Sequence, residues 1–290
     1  MSQFMILTDS CADLPAELVE RLDVKVLPLS YNMDGKTVYN YPDNREMDPH
    51  EFYELLRAGK TAVTSAVNVA QFAEAMEPCL QEGKDVLVLA FSSGLSTTYN
   101  SAVIAADDLK EKYPERKVYV VDTLCASMGQ GLLVYLAAKE REKGGSIEQV
   151  RDWAEANKMS IAHQVTVNDL FHLKRGGRIS ATTAVMGSML SIKPMIHVDD
   201  EGRLINIGKA RGRGASLKAL VDTMEKTVID PANQTVFISH GDCLEDAQAV
   251  ADMIKERMGV KEVMINHIGP VIGAHAGPGT VALFYIASER

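Results

Sequence analysis

Only one tryptophan, Trp153, and few other aromatic side chains occur in the chain, so its core must be built mainly from Val, Leu, Ile, Ala and Met. Four cysteines (Cys11, Cys79, Cys125 and Cys243) are scattered with no C-x-x-C pairing. That spacing argues against a zinc site or a disulfide framework, and for reduced thiols that pack in a cytoplasmic protein. No apolar run approaches the roughly 20 residues of a membrane span. The segment Met1 to Ser10 lacks the charged start and the roughly 7 to 15 apolar residues of a signal peptide, so a cytoplasmic location is expected. Positive charge is also short. A formal net charge of −9 repels a phosphate backbone at long range, and no nucleic-acid partner is expected. Three catalytic signatures are missing as well: a Gly-Lys-Ser/Thr phosphate loop, a G-x-S-x-G nucleophile elbow and an H-E-x-x-H metal motif. His50, His163, His172, His197 and His267 have no ligand spacing, so no metal is expected.

What is present is a globular balance, 46% hydrophobic and 24% charged, over 290 residues, enough for about two domains. The first half alternates strand-like and helix-like runs. Met5–Leu7 and Val24–Met33 read as strands, with Asp34-Gly35 a hairpin turn after the second. Asp48-Pro49-His50-Glu51 is a capping box with proline at the first helical position, and Asn68 with Gln71 repeats the signal for a helix over Val69–Gln81. Asp85–Phe91 is a continuous apolar run suited to a central parallel strand buried on both faces. Helices over Thr97–Lys112 and Ala126–Lys143 flank a strand at Lys117–Val121. This alternation predicts a parallel sheet with helices on its faces.

Beyond about Ser160 the pattern changes. Asp199-Asp200-Glu201-Gly202 lies between strand-like Met195–Val198 and Leu204–Lys209, a hairpin signal, and strand–helix alternation returns afterwards. The fold class is therefore α/β. A parallel-sheet, Rossmann-like α/β domain is expected over 1–160, and a mixed-sheet α/β domain over 161–290.

Three polar loops each follow a strand and precede a helix: Thr8-Asp9-Ser10, Thr64-Ser65, and Ser92 to Thr98. The last carries five hydroxyls around Gly94, including Ser93, Ser96 and Thr97. In an open α/β sheet, ligands sit where such loops converge, and free N–H groups there favour an anion. Helix N-caps demand the same residue types, so capping is the competing reading of each loop. His275 lies in a segment, Gly269 to Gly279, with four glycines in eleven residues, which predicts a loop that holds a placed histidine. Arg175, Arg178, Lys209, Arg211 and Arg213 form two basic clusters that could meet a carboxylate or phosphate, or simply face solvent. His240 ends a strand with no companion signal. Met186, Met189 and Met195 suit either a core or an adaptable apolar pocket.

Taken in order, Thr8-Asp9-Ser10 with Asp13-Leu14, Thr64-Ser65, Ser92 to Ser96 with Thr98-Tyr99, Val121-Asp122, Leu173 to Ser180, Ile192-Lys193-Pro194, Lys209-Ala210-Arg211, Gly269-Pro270 and His275 to Gly279 resemble the DegV family of bacterial fatty-acid-binding proteins. The resemblance implies a fatty acid, such as palmitate, stearate or oleate, held in a tunnel between two α/β domains. It places the carboxylate-binding hydroxyls on Thr64 and Ser96, supported by Ser65, Ser93 and Thr97, with His275, Arg211 and Arg178 near the head group. It further implies no cofactor and no activity alone. The bound acid would be presented to a separate ATP-dependent fatty acid kinase that makes the acyl phosphate, with only transient membrane contact for lipid exchange. Two rival readings follow from the residues themselves: an acyl hydrolase or transferase with a hydroxyl near Gly94 as nucleophile and His275 as base, and a passive lipid carrier or sensor.

Overall fold

The computed structural model describes residues 4–168, 170–179 and 191–290. Met186, Met189 and Ser180 lie outside the described residues. The N-terminal elements are β1 (Phe4–Asp9), α1 (Ala16–Arg21), β2 (Val24–Leu27), β3 (Ser30–Met33), β4 (Lys36–Tyr39), α2 (Pro49–Arg57), β5 (Val63–Ser65), α3 (Val69–Gln81), β6 (Asp85–Ala90), α4 (Thr98–Lys112), β7 (Val118–Asp122), α5 (Met128–Glu142) and α6 (Ile147–Asn157). After them come β8 (Ile161–Thr166), α7 (Phe171–Arg175), β9 (Ile192–Val198), β10 (Leu204–Arg211), α8 (Arg213–Thr227), β11 (Thr235–His240), α9 (Leu244–Met258), β12 (Glu262–His267), α10 (Pro270–Ala276) and β13 (Val281–Ile286).

The expected change of sheet type at about residue 160 is present. Strands β2-β1-β6-β7 form a four-stranded sheet in which every pairing is parallel. The second half forms a six-stranded mixed sheet, β10-β9-β8-β13-β11-β12, in which only β11 and β12 run parallel. Strand β6 is buried from Val86 to Ala90, as a continuous apolar run between two helical layers requires. Asn68 with Gln71 forms the expected capping box at the start of α3, and Ser146 with Gln149 forms another at α6. At α2, by contrast, Asp48 caps by accepting the N–H groups of His50 and Glu51 without the return bond of a box.

Three expectations are corrected. Val24–Met33 is not one strand. It breaks at Pro28, which has no N–H for a ladder, and Ser30–Met33 instead joins a small antiparallel sheet, β4-β3-β5, with Tyr31 opposite Thr64. Thr64-Ser65 is thus a strand and not a loop. The glycine-rich segment Gly269–Gly279 is also not a plain loop, because Pro270 opens the helix α10 and His275 sits in its last turn.

The two halves share their cores. Helix α5 lies between the sheets, so Leu132, Leu133 and Val134 pack in one cluster with Leu87 and Leu89 of the parallel sheet and Phe237, Ala282 and Phe284 of the mixed one. Helix α10 crosses the other way: Val271 and Ala274 join the core made by Tyr31, Phe52, Tyr53 and Phe72. Among the described residues, no helix is long and apolar enough to cross a membrane.

Candidate functional site

Between the halves lies a cavity of about 430 Å³. Its size falls within the range of roughly 300–1,000 Å³ typical of small-molecule pockets. One wall is the face of the mixed sheet that carries His163 and Val165 on β8, with Val167 just past its end, and Ala282 and Phe284 on β13. The strand period of two aims these alternate side chains the same way. The register fixes the wall's direction. Val281 pairs with Thr166 next to the end of α10, whereas Phe284 pairs with His163 at the other end. Four residues separate Val167 from His163, about 13 Å of strand. At that far end the His163 ring meets Phe284 edge-on with 5.2 Å between centroids, and its Nε2 accepts the Ala126 N–H at 3.1 Å. Burial holds this imidazole well below its ordinary pKa, so it is neutral.

The near end is polar. Thr64 Oγ1 and His275 Nε2 lie 2.9 Å apart, bringing β5 and α10 together across 211 residues of sequence. Burial, with help from the Arg178 and Arg175 charges, lowers the His275 pKa to about 4, so the ring is neutral at pH 7. Among the described residues its buried Nδ1 has no hydrogen-bond partner. It faces Gly176, where an added Cβ would stand 2.0 Å from Nδ1. A proton on Nδ1 would be an orphaned donor, which is costlier than an unfilled lone pair, so the proton belongs on Nε2. Nε2–H then donates to Thr64 Oγ1, and the Thr64 hydroxyl proton remains free for an acceptor in the cavity.

From His275 the polar end continues through Gly176 to Arg178, whose Nη1 donates to Gly176 O at 2.6 Å and Nε to Leu95 O at 3.2 Å. Ser96 is next in sequence to Leu95. Its Oγ accepts the Thr98 N–H at 3.2 Å and lies 2.9 Å from Thr98 Oγ1, so it caps α4 as well as lining the cavity. Both readings of that loop therefore hold at once.

Of the residues singled out from sequence, Thr64, Ser65, Ser93, Ser96, Thr97, Arg178 and His275 all line this cavity. Arg211 does not. It stands exposed at the end of the edge strand β10, seven residues beyond Leu204, the strand's only cavity-lining residue, or about 23 Å of extended chain. Thr8 and Asp9 are fully buried and do not line the cavity either. Ser127, Thr280 and His163 were missed. Alternation along β8 gave a signal for one face, but nothing local said that a cavity lay over it. His50, Glu54 and Asp242 come together with ligand atoms within 4.8 Å, yet the Arg57 guanidinium already pairs with Glu54 and Asp242. His240 stacks on His267 with centroids 4.4 Å apart, and burial pushes its pKa down to about 4.

A cavity between two fused α/β halves, apolar along one wall and polar at the end where Thr64, Arg178 and His275 meet, has the lining of a site for a ligand with an apolar and a polar part. The chain belongs to the DegV family: the family model described as "uncharacterised protein, DegV family" matches residues 3–288. A DegV domain-containing protein of Clostridium perfringens is 48% identical over 290 residues, covering 100% of this chain and 99% of the relative. Among solved structures, a DegV lipid-binding protein from Thermotoga maritima matches with a TM-score of 0.86 and 30% identity, covering 100% of both chains. A DegV family protein from Thermus thermophilus, described by its fatty acid binding, matches with a TM-score of 0.86 and 31% identity over 99% of this chain and 100% of its own.

Proposed function

We propose that this chain binds a long-chain fatty acid in the inter-half cavity, with its carboxylate toward Thr64 and Ser96, and presents it to a separate ATP-dependent kinase that forms the acyl phosphate. The observation that carries the reading is the Thr64–His275 pair at the polar end of a cavity whose sheet wall is largely apolar. The structural relative from Thermus thermophilus is described by its fatty acid binding, which supports the choice of ligand. Burying roughly fourteen methylenes at about 0.8 kcal/mol each returns on the order of 11 kcal/mol gross. Association takes back several kcal/mol, which still leaves room for tight binding. A buried carboxylate must be hydrogen-bonded, and a freed Thr64 hydroxyl supplies a neutral donor. Thr64 and Ser96 are neutral donors, and the Arg178 guanidinium, already donating to Leu95 O and Gly176 O, adds a positive charge at the same end without being committed to a bidentate pair with the acid. The sequence has no phosphate loop of its own, which supports a partner as the source of the phosphoryl group.

A stand-alone hydrolase needs an orienting acid on the histidine, and among the described residues Nδ1 of His275 has no hydrogen-bond partner. His275 instead suits a role in stabilising charge at the carboxyl–phosphate junction during transfer. Mass spectrometry of lipid released from the purified, denatured protein tests the reading directly. A stoichiometric C16–C18 acid is expected, and Thr64→Ala with Ser96→Ala should strip it and lower kinase turnover. An empty protein that takes up neither palmitate nor oleate would refute it.

A further inference from the structure

The motif Thr8-Asp9-Ser10 with Asp13 does not reach the cavity, yet its side chains grip the segments that do. Asp9 Oδ2 accepts the N–H of Phe91 at 2.8 Å and a side-chain N–H of Gln130 at 3.1 Å. Phe91 lines the cavity and begins the loop that carries Ser93 and Ser96. Ser10 Oγ accepts the N–H of Leu29, another wall residue, at 3.0 Å. Asp13 Oδ1 accepts the N–H of Gly269 at 2.9 Å, at the start of the helix that ends on His275. Asp13 Oδ2 accepts the hydroxyl of Ser127, a wall residue at the start of α5, at 2.5 Å. The Asp13 carbonyl takes Asn266 Nδ2 at 2.8 Å. Asp13 itself sits in the left-handed region, at φ 49°, so the turn holds a conformation that few residues adopt.

We propose that Asp9 and Asp13 are paired positioning residues: Asp9 fixes the hydroxyl-bearing loop and Asp13 the histidine-bearing helix, so that one buried turn sets the spacing of both arms of the head-group site. The inference rests on the fatty-acid reading only for what the site holds. Each tie is a backbone N–H that leaves the end of a strand or starts a helix and has no partner in a ladder, so the carboxyl is its acceptor. A charged carboxylate makes such a bond about twice as strong as a neutral acceptor does. Burial raises Asp9 to a pKa of about 6 and Asp13 to about 7, although the hydrogen bonds each accepts pull the other way. The ties therefore change strength near neutral pH, and protonation as the pH falls through about 7 loosens the Gly269 end first. The groups facing Asp13 are Asp9 and Cys11 from its own turn, Tyr53 from α2, Ser127 from α5, Ser239 from β11, and Asn266 and His267 from β12. None of them is a cation that would hold the carboxylate charged at low pH, because burial keeps His267 below its usual pKa.

The test is release of bound palmitate to excess albumin, followed from pH 5 to 9. In the wild type, release should quicken as the pH falls below about 7. Asp13→Asn keeps the shape without the charge, so release at pH 8 should be about tenfold faster. The step near pH 7 should be lost, leaving only the changes at lower pH that Asp9 and the fatty acid bring. Protonation of the fatty acid itself would act on all variants alike. Ser127→Ala removes a hydroxyl that favours the charged form and should move the midpoint to higher pH, which keeps the proposal testable if Asp13→Asn does not fold. An Asp13→Asn profile that overlays the wild type, or an unmoved Ser127→Ala midpoint, would overturn it. Imidazole NMR of His275 in lipid-free protein separates the two claims. A wild type that takes up no palmitate sinks the fatty-acid reading, whereas His275 signals unchanged by Asp13→Asn sink the positioning role.

Discussion

Ser96 and His275 face the same cavity but arrive there by different routes. The Ser96 loop is held from both halves: it leaves β6 with its backbone tied to Asp9 through Phe91, while Ser92 Oγ donates to Gly202 O at 2.7 Å and Arg178 Nε donates to Leu95 O at 3.2 Å. His275 rides on α10, which comes from the second half and packs into the first. Gly273 of α10 lies against Tyr53, whose hydroxyl donates to Ile268 O at 2.9 Å. Both arms are placed by contacts across the chain, the loop by hydrogen bonds to Gly202 and Arg178 and the histidine helix by close packing on Tyr53 and Phe52. Hydrogen bonds at a loop can adjust if the halves shift, whereas a glycine packed against buried rings depends on their packing.

Substitutions on each arm sharpen the contrast. The largest effect is expected at Gly273→Ala, because an added Cβ would stand 2.6 Å from Tyr53 Oη and 3.0 Å from Phe52 Cε1, both on fully buried rings. Overpacking of that kind costs about 1–3 kcal/mol, to be measured by denaturant unfolding, and palmitate retention should fall with it. Retention unchanged in a destabilised Gly273→Ala protein would mean that the histidine arm does not depend on the packing between halves. Ser96→Ala should cost about 1 kcal/mol through the lost cap, read as a lower thermal midpoint, and the Thr64–His275 pair should stay intact in the variant's crystal structure. A disturbed pair would show that the two arms are not separately built.

The smallest effect is expected at the rim, where α2 is tied to the second half by Arg57 and His50 on Asp242. Arg57 is exposed enough that Arg57→Ala should cost about 0.5 kcal/mol or less, and the difference should vanish in high salt. A larger, salt-insensitive loss would make this ion pair a hinge between the halves, and the contrast between arms would need to include it.

Much of the hydroxyl arm was legible in sequence because its residues are consecutive. A strand of continuous apolar residues, then five hydroxyls, then a helix is a pattern written within about fifteen consecutive positions. The histidine arm was half legible. Its glycines and His275 marked it, but the helix between them was missed, although Pro270 stood at the position where helices begin. The break at Pro28 was missed because a ten-residue apolar alternation reads the same whether or not its two parts pair in one sheet. Arg211 stood in a basic cluster whose spacing alone did not reveal that it ends the edge strand β10, seven residues past the cavity-lining Leu204.

The sequence by itself determined the α/β class, the switch from parallel to mixed sheet near residue 160, the helix caps and the family, because periodicity, capping and motif order are properties of neighbouring residues. Only the tertiary structure decided that Thr64 meets His275, that His275 carries its proton on Nε2 for want of any acceptor at Nδ1 among the described residues, and that the buried Asp9–Asp13 turn backs the site instead of lining it. Those relations join residues up to 256 positions apart, and their energies come from burial and from unpaired N–H groups, which exist only once the chain has closed around them.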